Sequence, residues 1–363
     1  MASSGGVFRI GTRASALALA QTRQVAGLLR ASLNPAGGGV AGVGGGIGGG
    51  GGVAGVGGVG GGVAGVGGGD AATGGLGAIE IVEVTTSGDR GGSGSGSGSG
   101  QADKSRWVDA IEQALLAGAI DLAVHSAKDV PGELADGLVL LGAPARAPVE
   151  DVLCGASGLD ALASGTRVGT SSIRREAQLL AVRPDLQIVT IEGNVDTRLR
   201  KLADPDEGLD AIVLARAGLV RLGREDEAAG PDATLDPARF VPAPGQGALA
   251  LEARAGDARV VEAVKSILDA DATACLRAER ALARALDASC HTPLGAYASP
   301  AGCGCLQMRA WVGLPDGSAW VSDELLGGFY DPDALGERVA ERMLAAGAGE
   351  LLRQANELAG ADA

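Results

Sequence analysis

The chain has 363 residues and a formal net charge of −14, which disfavours nucleic acid as a bulk partner and leaves anion binding to locally placed arginines. Hydrophobic residues make up 46% but aromatic ones only 2%, so the core has to be built from Ala, Val, Leu and Ile. No apolar run reaches the roughly 18 residues of a membrane helix, and the first residues lack a basic region followed by an apolar stretch, so a cytoplasmic protein is expected. Five cysteines without a framework spacing read as free thiols.

In chain order, Val7–Ile10 reads as a short strand. Ser15 then caps a helix running to about Leu33, with Leu17, Val25, Leu28 and Leu29 on one face. Residues 36–78 are mostly glycine with Val and Ala, and residues 91–100 are Gly/Ser repeats. Neither stretch has enough apolar surface to offset its ordering entropy, and both are expected to be mobile. The G-x-G-x-x-G matches inside the first tract lack a preceding strand and an acidic ribose partner, so no dinucleotide site is expected there. Ile79–Thr85 reads as a strand and Arg106–Ala117 as a helix, with Trp107, Ile111 and Leu115 recurring at i+4. Ile120–Val124, Gly137–Leu141, Arg167–Gly169, Gln187–Ile191 and Ala211–Ala215 read as further strands. The β–α alternation predicts α/β lobes with mostly parallel sheets, whose ligands sit beyond the C-terminal strand ends. Arg13, Ser126, Lys128, Asp129, Thr170 and Arg174 all fall there. After about residue 269 the pattern changes to a helix, a turn carrying Cys290, a hairpin around Leu314 to Gly317 and a helix at Asp331–Ala346, which reads as a small α+β domain.

Cys290 lies in a small-residue turn (Ala288, Ser289, Cys290, His291) after an Ala-rich helix, where a thiol is sterically open to carry a covalent group. Gly169-Thr170-Ser171-Ser172-Ile173-Arg174-Arg175 places hydroxyls and guanidiniums at a helix start, a pattern suited to carboxylates. Cys290, His291, Cys303 and Cys305 have zinc-ligand chemistry, but their spacing follows no standard ribbon or finger and no metal is expected. Taken alone, Asp129 would cap a turn, His125 would be a structural strand-end histidine, and Arg174-Arg175 would be a solvated helix face.

Together, in this order, the motifs resemble the porphobilinogen deaminase (hydroxymethylbilane synthase) family. They are Arg9-Ile-Gly-Thr-Arg13-Ala-Ser15, Ala123-Val-His-Ser-Ala-Lys-Asp129, Gly169 to Arg175, Gly193-Asn-Val-Asp-Thr-Arg198, Ala217-Gly-Leu-Val-Arg221, Pro244-Gly-Gln246-Gly-Ala and the Cys290 turn. The resemblance implies a transferase of tetrapyrrole (haem) biosynthesis. Such an enzyme joins four porphobilinogens head to tail with loss of ammonia, on a dipyrromethane cofactor held by a thioether to Cys290. It implies two periplasmic-binding-protein-like (type II) domains flanking a cleft, residues 1–145 with 247–266 and residues 149–242, and a C-terminal α+β domain at 269–363. It implies Asp129 as the catalytic carboxylate that stabilises the cationic azafulvene. The implied ligands of cofactor and substrate carboxylates are Arg13, Ser15, Lys104, Lys128, Arg146, Thr170, Ser171, Ser172, Arg174, Arg175, Arg198, Arg221 and Gln246, with Trp107 on the cleft wall. A monomer with no nucleic-acid or membrane partner is implied. The chain departs from the family at Glu192, where Arg is usual, at the glycine near position 100 of the loop, and at Ser289. Glu192 faces the polyanion unpaired, or is neutralised by a partner such as Arg216. The alternatives to an active enzyme are a degenerate, non-catalytic member and a bilobal module that binds small anions. A covalent pyrrole adduct that survives denaturation separates the enzyme from both.

Overall fold

The computed structural model describes residues 6–33, 78–84, 105–228, 230–288, 292–302 and 304–361. Both low-complexity tracts lie almost entirely outside them.

The first lobe opens with β1 (Phe8–Thr12), α1 (Ala16–Leu33), β2 (Ile79–Glu83), α2 (Ser105–Leu116), β3 (Leu122–Ser126) and β4 (Leu138–Gly142). Ser15 Oγ accepts from the Ala18 amide at 3.3 Å and so starts α1 as its sequence predicts. The buried stripe of α1 is Gln21, Thr22, Val25, Ala26 and Leu29, while Leu28 faces solvent. The chain then crosses to a second lobe: β5 (Asp151–Cys154), β6 (Arg167–Gly169), α3 (Ile173–Val182), β7 (Gln187–Val189), α4 (Val195–Ala203), β8 (Ala211–Ala215), α5 (Arg216–Leu222) and β9 (Thr234–Leu235). It crosses back to supply β10 (Leu249–Arg254) and α6 (Ala258–Val264) to the first lobe.

The two sheets are ordered β2-β1-β3-β10-β4 and β7-β6-β8-β5-β9. In each, four strands run the same way and one is reversed, β10 in the first and β5 in the second. The reversed strand is in both cases the first one reached after a crossing. This is the type II arrangement that the resemblance implies. β5, β9 and β10 were not predicted. β5 and β10 are buried almost throughout and show no alternation, and β9 has only two residues.

The crossings run side by side. Ala147 N–H donates to Gly247 O at 3.1 Å, and a Cβ on Gly247 would lie 2.5 Å from Ala147 O, so only glycine allows this approach. The lobes also meet at the cleft mouth, where α1 packs by α5.

The remainder is α7 (Ala270–Ala285), an antiparallel sheet of β11 (Leu294–Pro300), β12 (Cys305–Gly313) and β13 (Trp320–Gly328), then α8 (Pro332–Ala345) and α9 (Ala348–Ala361). One face of this sheet, with Leu294, Ala296, Ala298, Leu306, Met308, Ala310 and Val312, closes a core against α7 and α8. The turn between β12 and β13 reaches the second lobe, where a Cβ on Gly317 would lie 2.3 Å from Ala181 N in α3.

Candidate active site

The C-terminal ends of β1 and β3 point into the space between the lobes. β3 runs into a single 3₁₀ turn, Ala127–Asp129, whose Val130 amide returns to Ala127 O. The turn presents Lys128 and Asp129, both half-buried. Asp129 lines a cavity with Arg13, Ser15, Gln21, His125 and Ser126, backed by apolar Leu17, Val108, Ile111 and Val124. Gln21 Nε2 donates to Ser126 Oγ at 2.7 Å and fixes the floor. His125 Nε2 lies 2.8 Å from buried Glu252 Oε2, a contact that anchors the strand end.

On the facing lobe, β6 ends at Gly169 and α3 starts at Ile173 with Ser172 as its N-cap residue. Thr170 is buried, and its Oγ1 accepts from the Ser172 amide at 3.1 Å. Ser171 Oγ accepts from Arg198 Nη2 at 2.6 Å, and Arg198 Nε donates to Gly193 O at 2.8 Å. The Arg198 guanidinium is thus held across the start of α4, which Asn194 caps by accepting from the Thr197 amide. Burial, and then Arg175, pull the Arg198 pKa down to about 10, while Glu192 and Asp129 pull it the other way. Asp129 of one lobe and Arg198 of the other are therefore within electrostatic reach across the cleft. Arg221 donates to Gly247 O at 2.8 Å, and its Nε is buried without a hydrogen-bond partner. Burial lowers its pKa to about 10. A half-buried cation with an unsatisfied donor suits a ligand carboxylate. Arg13, Lys128, Arg198 and Arg221 have the residue chemistry that binds carboxylates, the groups a dipyrromethane carries.

Four expected carboxylate ligands are engaged within the protein instead. Arg146 grips Glu279 with both terminal nitrogens, at 2.7 and 3.0 Å, and gives Nε to Gln246 O. Its position on the crossing, rather than at a strand end, takes it out of the cleft. Gln246 lies on the other crossing and donates to Val149 O and Asp151 Oδ1. Arg174 and Arg175 turn inward, Arg174 Nη2 to Asp151 Oδ2 at 2.7 Å and Arg175 Nε and Nη2 to Asp151 Oδ1 at 3.0 and 2.8 Å. The other end of each fork binds a main-chain carbonyl, Val241 O and Val213 O. The reason is Asp151, a fully buried carboxylate that requires positive partners. Arg216, raised as a partner for Glu192, lies 3.9 Å from Glu150 instead.

Lys104, Cys290 and the side chain of Trp107 lie outside the described residues. Asp151 and Glu279 were missed from the sequence, although Glu279 carried a signal. It falls at i+4 from Cys275 and i−3 from Leu282, on the apolar stripe of α7, where a lone acid implies a buried partner. Cys154 and Cys275 are core thiols whose pKa burial pushes up to about 12.

The family model "Porphobilinogen deaminase, dipyromethane cofactor binding domain" matches residues 70–262, and "Porphobilinogen deaminase, C-terminal domain" matches residues 273–345. The porphobilinogen deaminase of Rubrobacter xylanophilus is 44% identical over 277 residues, covering 76% of this chain and 87% of that one. That of Deinococcus deserti is 42% identical over 285 residues, covering 76% and 89%. Among solved structures, the lipoprotein Tp32 from Treponema pallidum is similar at 12% identity and a TM-score of 0.39, covering 72% of this chain and 90% of that one. That likeness is too remote to add to the strand order. With both family models in sequence and more than two-fifths identity over most of its length, the chain belongs to the porphobilinogen deaminase family.

Proposed function

We propose that this protein is an active porphobilinogen deaminase that condenses four porphobilinogens into hydroxymethylbilane with release of ammonia. The observation that supports this most is Asp129 lining one cavity with Arg13 and Ser15 against an apolar wall, with Arg198 of the facing lobe near enough to feel its charge. Each pyrrole unit carries an acetate and a propionate, so the growing chain is a polyanion. Arg13, Lys128, Arg198 and Arg221 bind those carboxylates, with Ser15, Ser171 and Ser172 supplying hydroxyls and the start of α3, braced by buried Thr170, supplying main-chain N–H groups. The dipyrromethane, when bound, supplies the pyrrole carbon onto which the first substrate unit is added. Asp129 sits against an apolar wall and accepts hydrogen bonds from pyrrole N–H groups. There its charge offsets the positive charge left when ammonia departs. Such a carboxylate commonly contributes about 10²–10³ in rate. Cys290, five residues beyond the end of α7, carries the thioether. The reading includes a monomer working in the cytoplasm, where the buried thiols stay reduced.

Intact mass under denaturing conditions tests the assignment. Wild type is expected to retain a two-pyrrole adduct and Cys290→Ser to lack it while remaining folded. Asp129→Ala is expected to stay folded and lose bilane formation by at least about 100-fold. An adduct on the Ser variant, or near-normal turnover by the Ala variant, overturns the corresponding role.

A further inference from the structure

The Asp129 turn is gripped from two sides by consecutive residues of α7, the helix that leads to the Cys290 turn. On one side, Arg280 reaches the segment that follows Asp129. Its Nη1 donates to Val130 O at 3.3 Å, and its Nη2 donates to Pro131 O at 2.8 Å and Gly132 O at 2.9 Å. On the other side, Glu279 Oε2 accepts from the Gly245 amide at 2.7 Å. Gly245 in turn presses on the turn itself, since a Cβ there would lie 2.9 Å from the carbonyl carbon of Ala127 and 3.0 Å from Lys128 N. Between the two grips, Ala127 and Val130 pack in one apolar cluster with Ala272 and Leu276 of α7.

Arg280 is half-buried and makes no side-chain ion pair within hydrogen-bonding distance among the described residues. The acids in its field are Glu133 and Glu252, and Arg284 adds a like charge. Desolvating a cation to bind three main-chain carbonyls is costly unless their position matters. A planar guanidinium can hold three adjacent carbonyls in a fixed geometry, which a single ammonium cannot. From Arg280 to the end of α7 is five residues of helix, a rigid rise of about 7.5 Å.

We propose that Arg280 is a positioning residue, which holds the Asp129 turn in fixed register with α7. The idea rests on the deaminase reading. Tethered pyrrole and carboxylate belong to different parts of the chain, and the reaction needs them aligned at each addition. Misplacement by about 1 Å can cost about 10²-fold in rate. Arg280 touches none of the carboxylate-binding groups, so its loss acts on turnover rather than on substrate affinity.

The test uses the full chain as wild type, Arg280→Met, Arg280→Lys and, as a control on the exposed side of α7, Arg277→Met. The first readout is deuterium exchange in the segment 126–134 without substrate. The second is kcat and KM per cofactor-loaded molecule, with loading counted by intact mass. Arg280→Met is expected to speed exchange in that segment, lower kcat per loaded molecule about 10- to 100-fold and leave KM within about threefold. Arg280→Lys is expected to recover part of kcat, and Arg277→Met to match wild type. Wild-type exchange together with wild-type kcat per loaded molecule in Arg280→Met overturns the proposal, as does a KM that rises in step with the loss. If the Met variant does not fold, the Lys variant decides. Slower turnover and faster exchange there support the proposal, and wild-type values in both overturn it. A wild type without adduct or bilane refutes the deaminase reading instead, and the exchange arm still judges the clamp.

Discussion

Asp151 shows how much one residue can organise. Burial alone would raise its pKa, but Arg174 and Arg175 outweigh burial and hold the carboxyl well below the usual carboxylate range. A depressed folded-state pKa contributes stability that is fully present above the unfolded value, about pH 4, and is lost as pH falls toward the folded value. Asp151→Asn is therefore expected to cost about 3–5 kcal/mol at pH 7, because two buried guanidiniums lose their counter-charge. Urea unfolding at pH 7 and at pH 3 should show the gap from wild type narrowing in acid. Glu192 poses the opposite case. It is exposed at the cleft rim, and Arg216 is engaged with Glu150, so the carboxylate of Glu192 weakens the positive field around Arg198. Glu192→Gln is expected to lower KM up to about fivefold, the worth of one exposed charge pair. An unchanged or higher KM in steady-state assays at low salt would count against this.

At the scale of elements, α1, α2, α3, α7, α8 and most strands were legible, whereas α4, α5, α6, α9, β11 and the reversed strands β5 and β10 were not. α1, α3 and β8 could be placed because their apolar spacing or bounding turns are local. β5 and β10 are buried almost throughout and pair antiparallel with strands far along the chain, as in His125 opposite Ala250, so their reversal belongs to those pairings and to no local pattern. The same distance explains the misplaced ligands. Arg146 and Arg174 have the residue type of carboxylate ligands, and only the location of Glu279 and Asp151 shows where they bind. Arg13, Lys128 and Asp129 lie just beyond strand ends, a position that a sequence can reveal, but Arg174 shares that position and is drawn inward by Asp151. The crossing segments predict a sharp sensitivity. Gly245 has φ +74°, and any side chain there meets the backbone of Ala127 and Lys128. Gly245→Ala is expected to cost about 1–3 kcal/mol by thermal unfolding and to reduce kcat more than KM, since the residue it displaces is the Asp129 turn. A variant that loses stability with kcat intact would show that the turn tolerates the shift.

At the scale of the whole molecule, the glycine tract joins the end of α1 to the start of β2. Arg30 Nη2 donates to Ile79 O at 3.3 Å, so the two ends of the tract meet near each other. Loop closure changes by only about 0.6 kcal/mol per doubling of length. Deleting residues 37–77 is expected to leave bilane formation within about twofold and the unfolding temperature unchanged or slightly higher. A selective loss of turnover in a cooperatively folding variant would reveal a role for the tract.

The order of strands also fixes an order of events on the ribosome. β4 has β10 as its neighbour in the sheet, and β10 separates it from β3. Until Leu249–Arg254 has been synthesised, the first lobe's sheet has a gap in its middle and an unpaired strand beyond the gap. All five strands of the second sheet, from Asp151 to Leu235, emerge before that. The half of the cleft encoded second is thus the first able to close its sheet, and the nascent first lobe waits with two open strand edges, a state that invites mispairing or a chaperone.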